Sequence, residues 1–196
     1  MSVDGYTVEL ARPEQIRVLP EIERAAAALF PDDVIIPEIR LSAVPHEQLE
    51  IARVEERLWT AVTNTGTVVG FAIAMRESNA ALLQEIDVHP AHQRKGLGRR
   101  LIREVICWTQ AQGFSRVLLT TFEHVPWNAP FYSKLGFRIL AEDELSRELR
   151  ERLEDERKRG MRQRVAMQLS HVLRDSPSPR AVPRSAANTI TRVDGV

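Results

Sequence analysis

The stretch "HQRKGLGRR", residues 92–100, gathers Arg94, Lys95, Arg99 and Arg100 around Gly96 and Gly98. Before it runs "ALLQEIDVHP" (81–90), a strand pattern stopped at Pro90; after it runs "GLGRRLIREVICWTQAQG" (96–113), with apolar residues at helical spacing. The glycines therefore open a helix. A helix start leaves backbone N–H groups without partners and carries a partial positive charge. Gly96 and Gly98 remove the side chains that would keep an anion off those donors, and the basic residues add full charges at the same point. The guest such a loop suits is a phosphate or diphosphate. Two familiar phosphate loops do not fit. The P-loop needs four residues between its glycines and then Lys-Ser/Thr, and the dinucleotide fingerprint needs a third glycine where this chain has Leu101.

The elements that position this loop are legible in outline. Residues 6–13 alternate as a first strand, and 13–30 read as a helix kinked or broken at Pro20. Residues 31–45, with three prolines, read as a loop, and 46–58 as a charged helix. Residues 59–78 read as a hairpin turning at "NTG". The helix 96–113 presents Leu97, Leu101, Ile102, Val105, Ile106 and Trp108 to a core, and 115–122 is a buried strand. The segments 81–90, 96–113 and 115–122 thus form a βαβ unit whose two strands are parallel neighbours. The glycine loop then lies at the carboxyl end of the first strand, where open α/β sheets bind ligands. "NAPFYSKLGF" (128–137) is a short helix stopped at Gly136, "RILAE" a strand or sheet edge, and 162–170 a final strand. The charged helix 143–160 carries one thin apolar line, Leu145, Leu149 and Leu153, and is expected to lie across the surface. From about Arg174 the chain is rich in Pro, Ser and Ala, so a disordered tail (174–196) is expected after a single domain spanning 1–173.

Composition narrows the function. The 196 residues, 43% hydrophobic and 28% charged, suit one globular domain. Lys+Arg and Asp+Glu are equal at 27 each, so no global charge draws the chain to nucleic acid or an anionic membrane. The interleaved acids and bases of 150–164 read as a salt-bridged face. No apolar run approaches the roughly 20 residues of a membrane span, and residues 1–15 lack a leader's apolar stretch, so a cytoplasmic protein is expected. One cysteine, Cys107, excludes an internal disulfide; set among Val105, Ile106 and Trp108, it is expected to be buried and inert. The histidines show no ligand spacing, and no metal is expected.

The pattern Gln-x-x-Gly-x-Gly (Gln93, Gly96, Gly98) on a strand–loop–helix resembles the acyl-CoA loop of the GNAT superfamily, the Gcn5-related N-acetyltransferases. "NAPFYSKLGF" is similar to that superfamily's helix ending in Tyr-x-x-x-Gly-Phe, here Tyr132, Gly136 and Phe137. The resemblance covers roughly residues 5–170. It implies an α/β (α+β) fold: a central twisted mixed sheet of about six to seven strands, two parallel strands splayed apart, and helices on both faces. It implies acetyl-CoA as cosubstrate and direct transfer of the acetyl group to an amine. Backbone groups of Ile86, Asp87 and Val88 would pair with the pantetheine arm. Arg94, Lys95, Gly96, Leu97, Gly98 and Arg99 would cradle the diphosphate, with Asn128 as a further contact that also opens the helix carrying Tyr132. Tyr132 would protonate the departing thiolate. Glu85 is the favoured base; strand alternation sets Gln84 and Glu85 on opposite faces unless a bulge exchanges them. The glutamate that some members carry on the next parallel strand has no counterpart in "LLTTF", which offers Thr120 and Thr121; Glu123 and His124 lie just beyond.

The acceptor is expected to be a small-molecule amine. Residues 30–46, with Asp32, Asp33 and Glu38, would shape its pocket, and "EHVPWN" (123–128) with Trp127 the opposite wall. The alternatives are a protein N-terminal or lysine acetyltransferase, or a non-catalytic acyl-CoA-binding regulator. A homodimer would use the final strand or the Leu145–Leu149–Leu153 line.

Overall fold

The computed structural model describes residues 5–170; the expected tail lies outside the described residues. Strands β1 (Tyr6–Leu10), β2 (Leu58–Thr63), β3 (Val68–Glu77), β4 (Ala80–Val88), β5 (Arg116–Phe122), β6 (Arg138–Ile139) and β7 (Arg164–Ser170) form one sheet in the order β1-β2-β3-β4-β5-β7-β6. Among the described residues only β4 and β5 are parallel neighbours; the other pairs are antiparallel. Among the described residues no helix is long and apolar enough to cross a membrane.

The helices are α1 (Leu19–Ala27), α2 (Pro37–Arg40), α3 (His46–Val54), α4 (Leu97–Ala111), α5 (Ala129–Ser133) and α6 (Arg147–Lys158). The break expected near Pro20 is a change of helix type: a 3-10 turn over Pro13–Val18 hands over to α1, with proline in its first turn, where no amide bond is lost. The segment expected to be all loop contains α2, one turn started on Pro37.

Alternation along the strands sorts the side chains to two faces. Val117 and Leu119 of β5, with Ala72 and Ala74 of β3, pack under Leu97, Leu101, Ile102 and Val105 of α4. On the other face Phe71 and Ile73 meet Leu19 and Ile22 of α1 and Leu49 of α3. There too, Leu82 and Leu118 meet Leu145 and Leu149 ahead of and on α6. The leucine line, expected as a dimer contact, instead fastens this charged surface helix to the sheet, with Leu149 only 4% exposed. The final strand is no outer edge either: β7 inserts between β5 and β6 and buries Ala166 and Met167.

Cys107 departs from expectation, being exposed. Its sequence neighbours are apolar, but helical periodicity groups it with Arg103 and Gln110 on the solvent side of α4.

Two irregularities make the centre of the sheet unusual. In β3–β4, Ala74 is opposite Leu83 while Ile73 is opposite Glu85, so Gln84 is an extra residue on β4, a β-bulge. And β4 pairs with β5 only at Ala81–Val117 and Leu82–Leu118, although the strands run on to Val88 and Phe122. Beyond those pairs they diverge.

Candidate active site between the diverging strands

The bulge decides what faces the gap. Downstream of Gln84, Glu85 and Asp87 stand beside Ile73 and Phe71, on the α1 face, while Ile86 and Val88 pack with the α4-side core. The regular alternation would have turned Glu85 towards α4. Glu85 Oε1 accepts from the amide of Ile86 at 3.3 Å, so its carboxylate lies against the strand's own backbone. Gln84, on the bulge, reaches Gln48 of α3 instead.

Two more carboxylates gather there. Glu23, half-buried on α1, accepts from the amide of Val44 at 2.9 Å and lies close enough to Glu85 for mutual repulsion. Burial first, and then Glu85, push the Glu23 pKa up to about 7. Burial raises Glu85 too, with Arg164 pulling against it. Asp87 lies well above the usual carboxylate range through burial and the charges of Glu85 and Glu23. Arg164 of β7 is held by Glu156 of α6, at 2.8 and 3.2 Å, and both side chains are largely buried. Thr120 Oγ1 donates to Glu156 Oε1 at 2.6 Å, and Arg164 also donates to the Thr120 carbonyl.

Tyr132 lies on the opposite face of the sheet. It is 9% exposed and packs edge-on against Phe137. Burial, then the charges of Glu85 and Asp87, raise its phenol above the ordinary tyrosine value. The same carboxylates thus act on it across the gap. Asn128 precedes α5; its carbonyl accepts from the amides of Phe131 and Tyr132 at 2.8 and 3.1 Å. Its side chain makes no cap to the helix and accepts from Thr121 Oγ1 at 2.7 Å.

The glycine loop stands at the carboxyl end of β4. Gly96 takes a left-handed backbone (φ 75°) as the residue that caps α4, and Arg94 does the same at φ 61°. The amide of Arg100 donates to the Gly96 carbonyl at 3.1 Å, closing the first turn of α4. The amides of Leu97, Gly98 and Arg99 come before it, at the positive end of the helix. Leu97 itself is buried in the core and anchors the turn. A Cβ on Gly98 would meet the Phe131 ring at 3.4 Å, so the residue is bounded on that side by α5. Arg94 and Arg99 are exposed beside these amides. The loop therefore fits a diphosphate, with backbone donors, a bare Cα and flanking cations. The charges of Lys95 and Arg100 are directed elsewhere: Lys95 Nζ donates to the Tyr6 hydroxyl and Arg100 to the Tyr6 carbonyl.

The expected acidic wall is rearranged. Asp32 pairs with Arg40 at 2.7 Å, and Asp33 and Glu38 are exposed. Trp127 and residues 30–46 are not opposed walls: Phe30 packs on both Trp127 and Phe122, with Val34, Ile35 and Val125 beneath. Glu123 and His124 are exposed. Sequence reasoning missed Glu23, Glu156 and Arg164. Glu23 had a signal, because it shares the inward stripe of Leu19, Ile22 and Ala26 on α1, where an acid is out of place.

Residues 54–139 match the family model of the acetyltransferase (GNAT) domain. Solved structures share the fold. The PaiA N-acetyltransferase of Thermoplasma acidophilum, solved with coenzyme A, is 18% identical, with 87% of this chain and 100% of that one covered at a TM-score of 0.63. The N-acetylglutamate synthase of Neisseria gonorrhoeae, complexed with coenzyme A and N-acetyl-glutamate, is 19% identical; 86% of this chain covers 36% of that one at 0.62. The ribosomal-protein-S18-alanine N-acetyltransferase of Escherichia coli is 20% identical, with 84% and 93% covered at 0.58. A seven-stranded mixed sheet, with its parallel strands β4 and β5 parted above a glycine-capped helix, thus comes with the family match, and residues 54–139 carry the likeness to the acetyltransferase (GNAT) domain.

Proposed function

We propose that the protein transfers an acetyl group from acetyl-CoA to a small, cationic primary amine in the gap between β4 and β5. The observation that carries this reading is the placement of Glu23, Glu85 and Asp87 on one face of the gap and Tyr132 on the other.

The cosubstrate's diphosphate is held by the amides of Leu97, Gly98 and Arg99, with Arg94 and Arg99 alongside. The pantetheine arm takes the place of the missing strand pairing along Ile86–Val88, in the manner of an added strand. Bound there, it presents a thioester to the gap. The amine arrives as an ammonium ion, attracted by the carboxylates. Glu85 accepts a proton from it, leaving the nitrogen lone pair free to form the new N–C bond as the C–S bond breaks. Tyr132, kept protonated by its surroundings, gives its proton to the departing sulfur, and the second proton that the acylated nitrogen sheds restores the phenol. Acid and base stand on opposite sides of the sheet, so neither has to neutralise the other. Glu23 binds the ammonium group before transfer.

A small acceptor is favoured because residues 30–45 close over this face. Val44 is tied to Glu23, Arg40 to the Ile35 carbonyl, and Phe30 to Phe122 and Trp127. The second reading, acetylation of a protein N-terminus, draws on the likeness to the S18-alanine enzyme. Acetyl-CoA-dependent thiol release over a panel of mono- and diamines and N-terminal peptides separates them. Turnover with amines supports the proposal; turnover with peptides alone replaces it with the second reading. Tight coenzyme binding without turnover on any acceptor points to a regulatory binder.

A further inference from the structure

We infer that Tyr6, on the edge strand β1, is a positioning residue for the diphosphate loop. This rests on the reading that the loop holds coenzyme A. Tyr6 is far from the loop in sequence, yet it binds the loop on both sides of Gly96. Upstream, Lys95 Nζ donates to the Tyr6 hydroxyl at 2.8 Å, with the ammonium 5.2 Å from the ring centroid. Also upstream, the hydroxyl lies 2.9 Å from His92 Nδ1, and the two rings meet edge-on at 5.8 Å. Downstream, both terminal nitrogens of Arg100, in the first turns of α4, donate to the Tyr6 carbonyl at 3.1 Å.

An ammonium group has only donors, so the phenol accepts from Lys95. Between the phenol and His92 Nδ1 the donor is set by the histidine tautomer. Burial, with Lys95 next, lowers the His92 pKa. The hydroxyl and the carbonyl of Tyr6 thereby both have partners on the loop.

The loop needs such a support. Arg94 holds a left-handed backbone, which costs a non-glycine residue about 1 kcal/mol, and it stands two positions from left-handed Gly96. Without outside contacts the segment would sample other conformations, and the amides would have to be ordered on binding. Fastened to β1 they are preorganised, which is worth affinity without adding any contact to the ligand. The clasp also divides the basic cluster. Lys95 and Arg100 hold the loop, whereas Arg94 and Arg99 face solvent beside the amides.

The test is Tyr6→Phe, which keeps the ring and the carbonyl and removes only the hydroxyl. Affinities are measured for coenzyme A by calorimetry and for pantetheine, which lacks the diphosphate, by displacement. A thermal melt checks that the variant is folded. The expected result is about tenfold weaker coenzyme A binding, the scale of one hydrogen bond to a charged group, with pantetheine affinity unchanged. Coenzyme A affinity equal to wild type overturns the inference, as does a parallel loss for both ligands, because the support would then be general. Wild-type protein that binds coenzyme A no more tightly than pantetheine overturns the loop reading itself, and it does so without reference to the variant.

Discussion

Thr120 on β5 donates a hydrogen bond of 2.6 Å to Glu156 on α6, and so brings a carboxylate to a strand that encodes none. The fork of Arg164 closes on that carboxylate from β7, and the same guanidinium restrains the pKa of Glu85. The far wall of the gap is therefore built by a helix and a strand that follow the recognisable motifs in sequence.

That wall predicts a stability asymmetry. Arg164→Met leaves Glu156 buried without its cation and should cost about 3–5 kcal/mol in urea unfolding. Arg164→Met combined with Glu156→Leu removes both charges and should recover much of that loss. Equal destabilisation of the single and double variants would show that the pair is not a coupled unit.

Glu85 should set the acidic limb of the rate. Its folded pKa is raised, chiefly by burial, so kcat/KM is expected to climb with pH through a value above the ordinary carboxylate range of 4.5. Glu85→Gln should lower kcat about a hundredfold and abolish that limb, with coenzyme A affinity within about twofold of wild type. A variant that keeps the limb assigns the base elsewhere.

The fold around these groups was largely legible, because it rests on periodicity and on local punctuation. The apolar stripe of α4, the "NTG" turn and the stop at Pro90 each act within a few residues. The site was legible only where one segment supplies it: Gly96, Gly98 and Tyr132 sit in contiguous motifs. Glu23, Glu156 and Tyr6 come from α1, α6 and β1, and no local pattern says that these elements converge. Sequence alternation left Glu85 open between two faces, and the bulge at Gln84 resolved it. Asp32 has the right charge for an acceptor wall, but Arg40, eight residues along on α2, takes it. Cys107 shows the opposite error, in which apolar neighbours along the chain were read as neighbours in space.

Tyr132 should be active as an acid over the whole working range. Its pKa is raised, first by burial and then by Glu85 and Asp87, so the phenol stays protonated past its ordinary value near 10.0. Tyr132→Phe should reduce kcat roughly ten- to hundredfold without weakening coenzyme A binding. Rates followed to pH 10 in wild type should show no decline assignable to this group.

Glu23 ties stability to pH. Its folded pKa, about 7, lies above the unfolded value of 4.5, so the stability it contributes is complete below about 4.5 and is lost as pH rises through 7. Glu23→Gln keeps an acceptor for the Val44 amide and cannot ionise. It should match wild type in melting at pH 4 and exceed it at pH 8 by about 1–2 kcal/mol, the shift being discounted for partial exposure. With a cationic acceptor, its KM should rise.

Titration calorimetry with coenzyme A, run on wild type and on Gly98→Trp, tests the proposal that the amides at the start of α4 grip the diphosphate. Wild type should release heat with a micromolar or tighter Kd, and Gly98→Trp, melting normally, should release none. Folded wild-type protein giving no heat, or a tryptophan at 98 leaving the titration unchanged, would contradict the account.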